Sequence, residues 1–497
     1  MLRVLGNPKT LCTGVTRRDL LHIGGLSLFG LSLHDLLLLK KAKADEARRT
    51  SGHFGQAKAC ILIYKYGSPP QHETFDPKPE APLEYRGEMK DISTKLPGIR
   101  VSEGLPRIAE IMDRLTVVRS LTHPYPLHGT AYAVTGIPSV DTGIEANPRH
   151  PRQWPFIGSI VDWMEDRQGH KLGDAPRNVV LPWVMGTRTE YPPLAGPFGT
   201  WLGQKYDPVV FDFNGKATRK APPVRHGIEG FDNPYMGIEP DGSFTLGDAD
   251  GRFSVSRDRF DDRKSLLKRL DELRRFVDVD QGVDAQDHFQ QMAYSLLTSS
   301  KVHNALDLDG EPLDVRQRYG MTVFGQASLA ARRLVECGCK FVTVFWDAYG
   351  LNAGGWDTHY NHFPRLKKLL LPGFDQTYSA LILDLEQRGM LDETLVLCLS
   401  EHGRTPKVDT KPAGGGRHHW SRVYSQVFAG GGMAPGNVIG KSDRIGGDVV
   451  NGAMSPKDIL ATSFHLLGID PKTMVEDFSG QPFPICGDGR VRDELLA

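Results

Sequence analysis

The sequence predicts an α/β fold, an α/β/α sandwich around a mostly parallel central sheet. Three observations point there. Short apolar runs of strand length alternate with segments of helical period. The strongest of those runs read as buried strands, which a sheet covered by helices on both faces requires. Polar segments rich in His, Asp and Glu follow several of them, where open α/β sheets place their sites.

The first buried strand is Ala57–Tyr66 (AKACILIYKY), closed by Gly67-Ser68-Pro69-Pro70 and followed by a Pro-punctuated loop at Thr74–Pro79. Leu105–Met112 has helical pattern and Leu115–Ser120 (LTVVRS) reads as a second strand. Leu127–Thr135 reads as a helix carrying His128 and Thr130 in its first turn. Trp154–Glu165 is an amphipathic helix and Asn178–Pro182 (NVVLP) a strand. From about 186 to 250, Gly, Pro and charge dilute the pattern into an irregular excursion. Phe260–Phe276, Ala285–Thr298 and Phe324–Cys337 are helical, so 186–335 reads as an irregular and helical insertion or lid. Strands resume at Phe341, Leu395 and Val423–Phe428, with helices at Gly373–Arg388 and Pro456–Leu467.

At 497 residues the chain can bury a large core. Its 60 basic and 60 acidic residues cancel, which argues against a nucleic-acid partner. Six cysteines make no disulfide framework and read as buried free thiols. Thr16-Arg17-Arg18-Asp19-Leu20-Leu21 precedes a mildly apolar stretch, His22–Leu39, and Ala42-Lys43-Ala44 fits a cleavage site. This pattern is similar to a twin-arginine export signal. It assigns 1–44 to a signal segment and 45–497 to the mature domain, periplasmic or extracellular. No later run approaches the ~20 apolar residues that span a bilayer.

The densest chemistry lies between Phe341 and Trp420. FVTVFWD leads to GGWDTHYNH (Gly354–His362), LVLCLS ends in EHGRTP (Glu401–Pro406), and GGGRHHW follows (Gly414–Trp420). Asp357, His359, His362, Glu401, His402, His418 and His419 therefore stand where strands give way to loops. Carboxylate and imidazole together suit one or two divalent ions, with zinc, manganese, iron or calcium as candidates, and such sites assist ester hydrolysis. Glu401 and His402 are adjacent: both ligate if the chain turns at Gly403, or one ligates and the other orients a neighbour. Arg404 is a candidate clamp for an anionic oxygen, or else a salt bridge holding its loop. His128 is a candidate substrate donor or ligand, or else a helix-capping or core histidine.

HGTAYAVTG, GGWDTH, EHGRTP and GRHHW, behind a twin-arginine pattern, together resemble the bacterial secreted family named DUF1501. That family is sulfatase-like and similar to the alkaline phosphatase superfamily. The resemblance spans about Cys60 to the C-terminus and implies an alkaline phosphatase-like fold. It implies that Asp357 with His359 or His362, Glu401-His402 and His419 hold metal. By the same resemblance Thr122, then Thr130, is the nucleophile. The chain departs from that pattern where a metal-binding Asp is expected after the first strand. Gln71, His72, Glu73 and Asp76 follow there instead, with Glu73 the best substitute. No Cys-x-Pro-x-Arg sequence is present, which argues against conventional sulfatase chemistry.

Two further readings stand beside the hydrolase. One is a non-catalytic binding or assembly protein on a degenerate phosphatase-like scaffold. The other is a glycan-processing role, with a small-molecule or glycan ester as substrate. Trp154, Trp201, Trp346, Trp356 and Trp420 would then offer stacking surfaces.

Overall fold

A computed structural model describes residues 52–125, 128–137, 142–145, 147–170, 173, 175–188, 196–220, 231–246, 300–350 and 355–497. The signal segment, the helices expected at Phe260–Phe276 and Ala285–Thr298, and Gly354 lie outside the described residues. Gly55–Ala497 forms one compact unit.

Nine strands form the central sheet: β1 (Ala59–Lys65), β2 (Leu115–Leu121), β3 (Asn178–Leu181), β4 (Val209–Asn214), β5 (Ser243–Leu246), β6 (Phe341–Trp346), β7 (Thr394–Leu399), β8 (Tyr424–Ala429) and β9 (Asn437–Ile439). Their order across the sheet is β9-β2-β8-β7-β1-β6-β3-β4-β5. All run in one direction except β5 and β8. β1, at the centre, is buried along its whole length. Its alternate residues serve opposite faces: Ile61 and Ile63 join one core, Cys60, Leu62 and Tyr64 the other. Both faces are apolar because helices cover both.

Helices α1 (Thr130–Thr135), α2 (Ile157–Arg167) and α5 (Pro456–Leu466) pack on the Leu62 face, while α3 (Val323–Glu336) and α4 (Leu371–Gln387) pack on the Ile61 face. The sandwich is therefore as expected, while of the stretch expected as an insertion 189–195, 221–230 and 247–299 lie outside the described residues. α3 is no lid: Phe324, Ala327, Ala330 and Ala331 are fully buried in the central core. The stretch read as an irregular excursion contains β4 and β5, which extend the sheet. β5 has four residues, the apolar run of β4 breaks after Phe211, and Gly or Pro flanks both, so neither gives a strong local signal.

Register sets the functional edge. Tyr64 stands opposite both Phe345 and Leu399, so β1, β6 and β7 end together. Antiparallel β8 begins at that same edge, with Tyr424 opposite Leu121 of β2. The segments after β1, β2, β6 and β7, and the one before β8, thus meet there.

Candidate functional site

Six side chains converge at this edge. Asp357, His359 and His419 bring Oδ1, Nε2 and Nε2 together: Asp357 to His359 is 2.9 Å, His359 to His419 is 3.0 Å, and Asp357 to His419 is 3.5 Å. His128 adjoins them with Nε2 3.3 Å from Asp357 Oδ2, and its Nδ1 lies 2.7 Å from Glu401 Oε1. His128 with Glu401 and His402 forms a second, deeper group. Asp357, His359 and His419 are 22 %, 25 % and 24 % exposed, whereas Glu401 and His402 are buried. The outer group therefore faces solvent and the inner group supports it.

Local structure explains these positions. His419 is held by a two-residue antiparallel ladder, Gly403–Arg404 against His419–Trp420, with Arg404 opposite His419. Gly403 is required by close packing and not by a turn: its φ is not positive, and a Cβ there would lie 2.7 Å from Gln71 Oε1 and from Tyr424 Cβ. Gly416 is equally constrained, because a Cβ would sit 2.1 Å from the His359 carbonyl oxygen. Ser68 adopts φ 66° although it is not glycine, an uncommon conformation for a fully buried residue at a strand end.

Charges here are strongly perturbed. Burial disfavours the imidazolium of His128, but Asp357 and Glu401 on its two sides outweigh that and raise it to about 9. Burial also opposes ionisation of Asp357, yet Arg404 and the surrounding histidines hold it well below the usual carboxylate range. Glu401 is likewise held low against burial, by His128 and by polar neighbours. It accepts from Gly67 N at 2.8 Å, Tyr64 Oη at 3.1 Å and Ser400 Oγ at 3.0 Å. Burial keeps His402 neutral, and its Nδ1 lies 2.8 Å from the Gly403 carbonyl, to which it donates. That fixes the tautomer and leaves Nε2 as a bare acceptor, buried and without a hydrogen-bond partner.

The remaining expected residues lie elsewhere. Glu73 is fully buried with Arg417, Nη2 to Oε1 at 2.7 Å, and His362 Nε2 faces its other oxygen at 3.4 Å. Both therefore stand apart from the cluster, Glu73 in a buried ion pair with Arg417 and His362 against it. Other residues of the segment after β1 are also taken up. Gln71 bonds Arg404 and Gly446 backbone, His72 the Ile445 carbonyl, and Asp76 the Ser442 hydroxyl and Lys78. Arg404 is fully buried and donates to the carbonyls of Gly67, Ser68 and Arg417 and to Asp357. Its guanidinium is spent on the loop, which excludes the anion clamp. The Thr130 hydroxyl is buried without a partner. Thr122 is tied through its backbone N–H to Met454, and among the described residues neither threonine hydrogen-bonds the cluster. His418 lies outside it, between His359 at 2.8 Å and Asp409 at 3.2 Å.

Sequence reasoning overlooked Tyr64 and Tyr66. Tyr64 bonds Glu401, and the Tyr66 ring lies 5.1 Å from that of His128. A tyrosine inside a buried strand needs a partner for its hydroxyl, and that was the available signal.

Comparisons with known proteins add a family and a set of distant likenesses. Among solved structures, a sulfatase from Pseudoalteromonas sp. shares 12% identity, covering 86% of this chain and 72% of that chain, with a TM-score of 0.38. A lipoteichoic acid synthase from Listeria monocytogenes shares 10% identity over 86% of this chain and 78% of its own, TM-score 0.32. A phosphonate monoester hydrolase from Silicibacter pomeroyi shares 10% over 88% and 82%, TM-score 0.31. Likenesses this distant assign no chemistry to the chain. No curated protein matches the sequence. The family model described as "Protein of unknown function (DUF1501)" matches residues 57–496, and the chain belongs to that family.

Proposed function

We propose that the protein is a metal-dependent hydrolase of phosphate or sulfate esters, exported by the twin-arginine route. The carrying observation is the convergence of Asp357, His359, His419, His128, Glu401 and His402, with His402 Nε2 buried and unpartnered. A buried acceptor without a donor costs about 1–3 kcal/mol, which a bound cation offsets. The donor set also fits in spacing. Ligands at about 2.0–2.2 Å from a tetrahedral ion stand about 3.3–3.6 Å apart, and the separations here come within about 0.4 Å of that. The Asp357, His359 and His419 atoms are separated by 2.9, 3.0 and 3.5 Å. Zinc or manganese suits this mixture. Calcium, which takes about six to eight oxygens, does not.

A bound divalent ion supplies Lewis-acid polarisation and lowers the pKa of water. The chain does the rest. Asp357, His359, His419 and the bare Nε2 of His402 would hold the ion, and the partial exposure of the first three leaves an approach from solvent. Glu401 at Nδ1 would orient the His128 ring, leaving Nε2, beside Asp357 Oδ2, as the nitrogen that would offer a proton to the leaving oxygen. Arg404 sets the position of Asp357. With both threonines outside the cluster, water is the nucleophile.

The test is elemental analysis of protein purified without chelator, then assay on an aryl phosphate, an aryl phosphodiester and an aryl sulfate. Stoichiometric metal, with metal and turnover lost together in His359→Ala and His419→Ala, is the expected result. Full metal content in both variants overturns the site. The non-catalytic reading is favoured by one observation: Ser68 and an occupied Glu73 stand where a metal-binding Asp was expected. Intact protein that takes up no metal would establish it.

A further inference from the structure

A groove at the other edge of the sheet has no part in the proposed hydrolysis. The Arg177 carbonyl accepts from Lys340 and Phe341 at the amino end of β6. Its guanidinium grips Asp162 and Asp166 of α2 at 3.1 and 2.6 Å. The C-terminal half of α2 therefore lies toward the amino ends of the strands, opposite the His/Asp cluster. There Trp163, Arg167, Trp201, Met474, Glu476 and Pro482 line a cavity of about 470 Å³.

The lining is aromatic and charged at once. Trp201 meets Trp154 edge-on with centroids 5.1 Å apart, and Phe483 extends the cluster at 5.2 Å from Trp154. The Arg167 guanidinium lies 4.7 Å over the Trp163 ring. Among the described residues neither Arg167 nor Glu476 has an ion-pair partner. Met474 and Phe483 remain 48% and 38% exposed.

We propose that this groove binds a glycan chain, a pyranose ring packing on the indole of Trp201 beside the Trp163 ring that Arg167 covers, while Arg167 and Glu476 bond its hydroxyls. A pyranose has an apolar C–H face and a polar rim, and indole surfaces beside charged hydrogen-bonding heads match both. One cation and one anion in the same lining suit a polyhydroxylated ring better than a ligand of single charge. An apolar protein side chain seated here would instead desolvate Arg167 and Glu476 without pairing either. The volume lies within the range of about 300–1,000 Å³ typical of small-ligand pockets. The groove thus holds polymer at a point remote from ester cleavage.

The experiment is native electrophoresis of the full chain through gels containing a soluble β-glucan, a xylan, a galactan or a polyuronate. Trp163→Ala and Arg167→Ala run alongside, their folding checked by circular dichroism. Expected is retardation of the wild type by at least one polysaccharide. Both variants should lose at least about tenfold in apparent affinity, with metal content unchanged. Absence of retardation by all four polymers overturns the proposal, as does wild-type retardation in both variants. Self-association of the wild type that Trp163→Ala abolishes would make the groove a protein interface and overturn it too. If Trp163→Ala does not fold, Arg167→Ala decides, because Arg167 is exposed and, among the described residues, has no ion-pair partner.

Discussion

His128 is held as an imidazolium between two carboxylates, and His402 is held neutral with one nitrogen bare. The two rings lie 5.3 Å apart, and opposite environments give them opposite protonation. His402→Ala should weaken metal affinity at least about 10–100-fold, read by competition with a chromogenic chelator. Glu73 makes a contrasting case. Glu73→Ala leaves the fully buried Arg417 without its counter-ion, so it should cost about 3–5 kcal/mol in urea denaturation while leaving metal content intact. The pH dependence follows in sign. Burial opposes ionisation of Glu73, but Arg417 and His362 outweigh it and depress its folded pKa. Its stabilisation is thus present above the unfolded value of about 4.3 and lost as pH falls through the folded value. The variant should show a flatter acid limb. Asp357, His359, Glu401, His402 and His419 were legible because each follows or precedes a recognisable strand. Glu73 and His362 have the same residue types in the same kind of position. Only the pairing of Glu73 with Arg417, and of His362 with Glu73, separates them from the cluster.

At the level of elements, the small ladder of Gly403–Arg404 and His419–Trp420 does what no single motif can. It fixes EHGRTP against RHHW and thereby places His419 beside His359. Gly403→Ala should push a methyl into Gln71 and Tyr424, destabilise by about 1–3 kcal/mol and weaken metal binding together with stability. Unchanged denaturation and metal affinity would show that the ladder is dispensable. Apolar strands buried along their whole length, such as β1 and β7, were readable from composition alone. β4 and β5 were not, since strands at a sheet's margin need less continuous hydrophobicity. α3 was readable as a helix yet misplaced, because an amphipathic pattern states that a face is buried without stating against what.

Across the whole molecule, parallel strands of common register present their carboxyl ends on one side, and segments remote in sequence become one site. Metal should therefore stabilise the entire fold. Zinc or manganese at 1,000 times its Kd should add about 4 kcal/mol, seen as a raised Tm that a chelator reverses. The Tm of His359→Ala should not respond. Export is testable without the fold. Lysines at Arg17 and Arg18 should leave unprocessed protein in the cytoplasm, whereas normal export of that variant removes the twin-arginine assignment.

By itself the sequence determined the layered architecture, most strands, and the three polar segments from which donors come. Period and composition act locally, and these features are local. Tertiary structure decided which donors meet. It brought His128 in from the segment after β2, withdrew Glu73 into an ion pair with Arg417 and His362 against Glu73, and spent Arg404 on its own loop. Those outcomes depend on distances of a few ångströms between residues up to 344 positions apart, which no local pattern encodes.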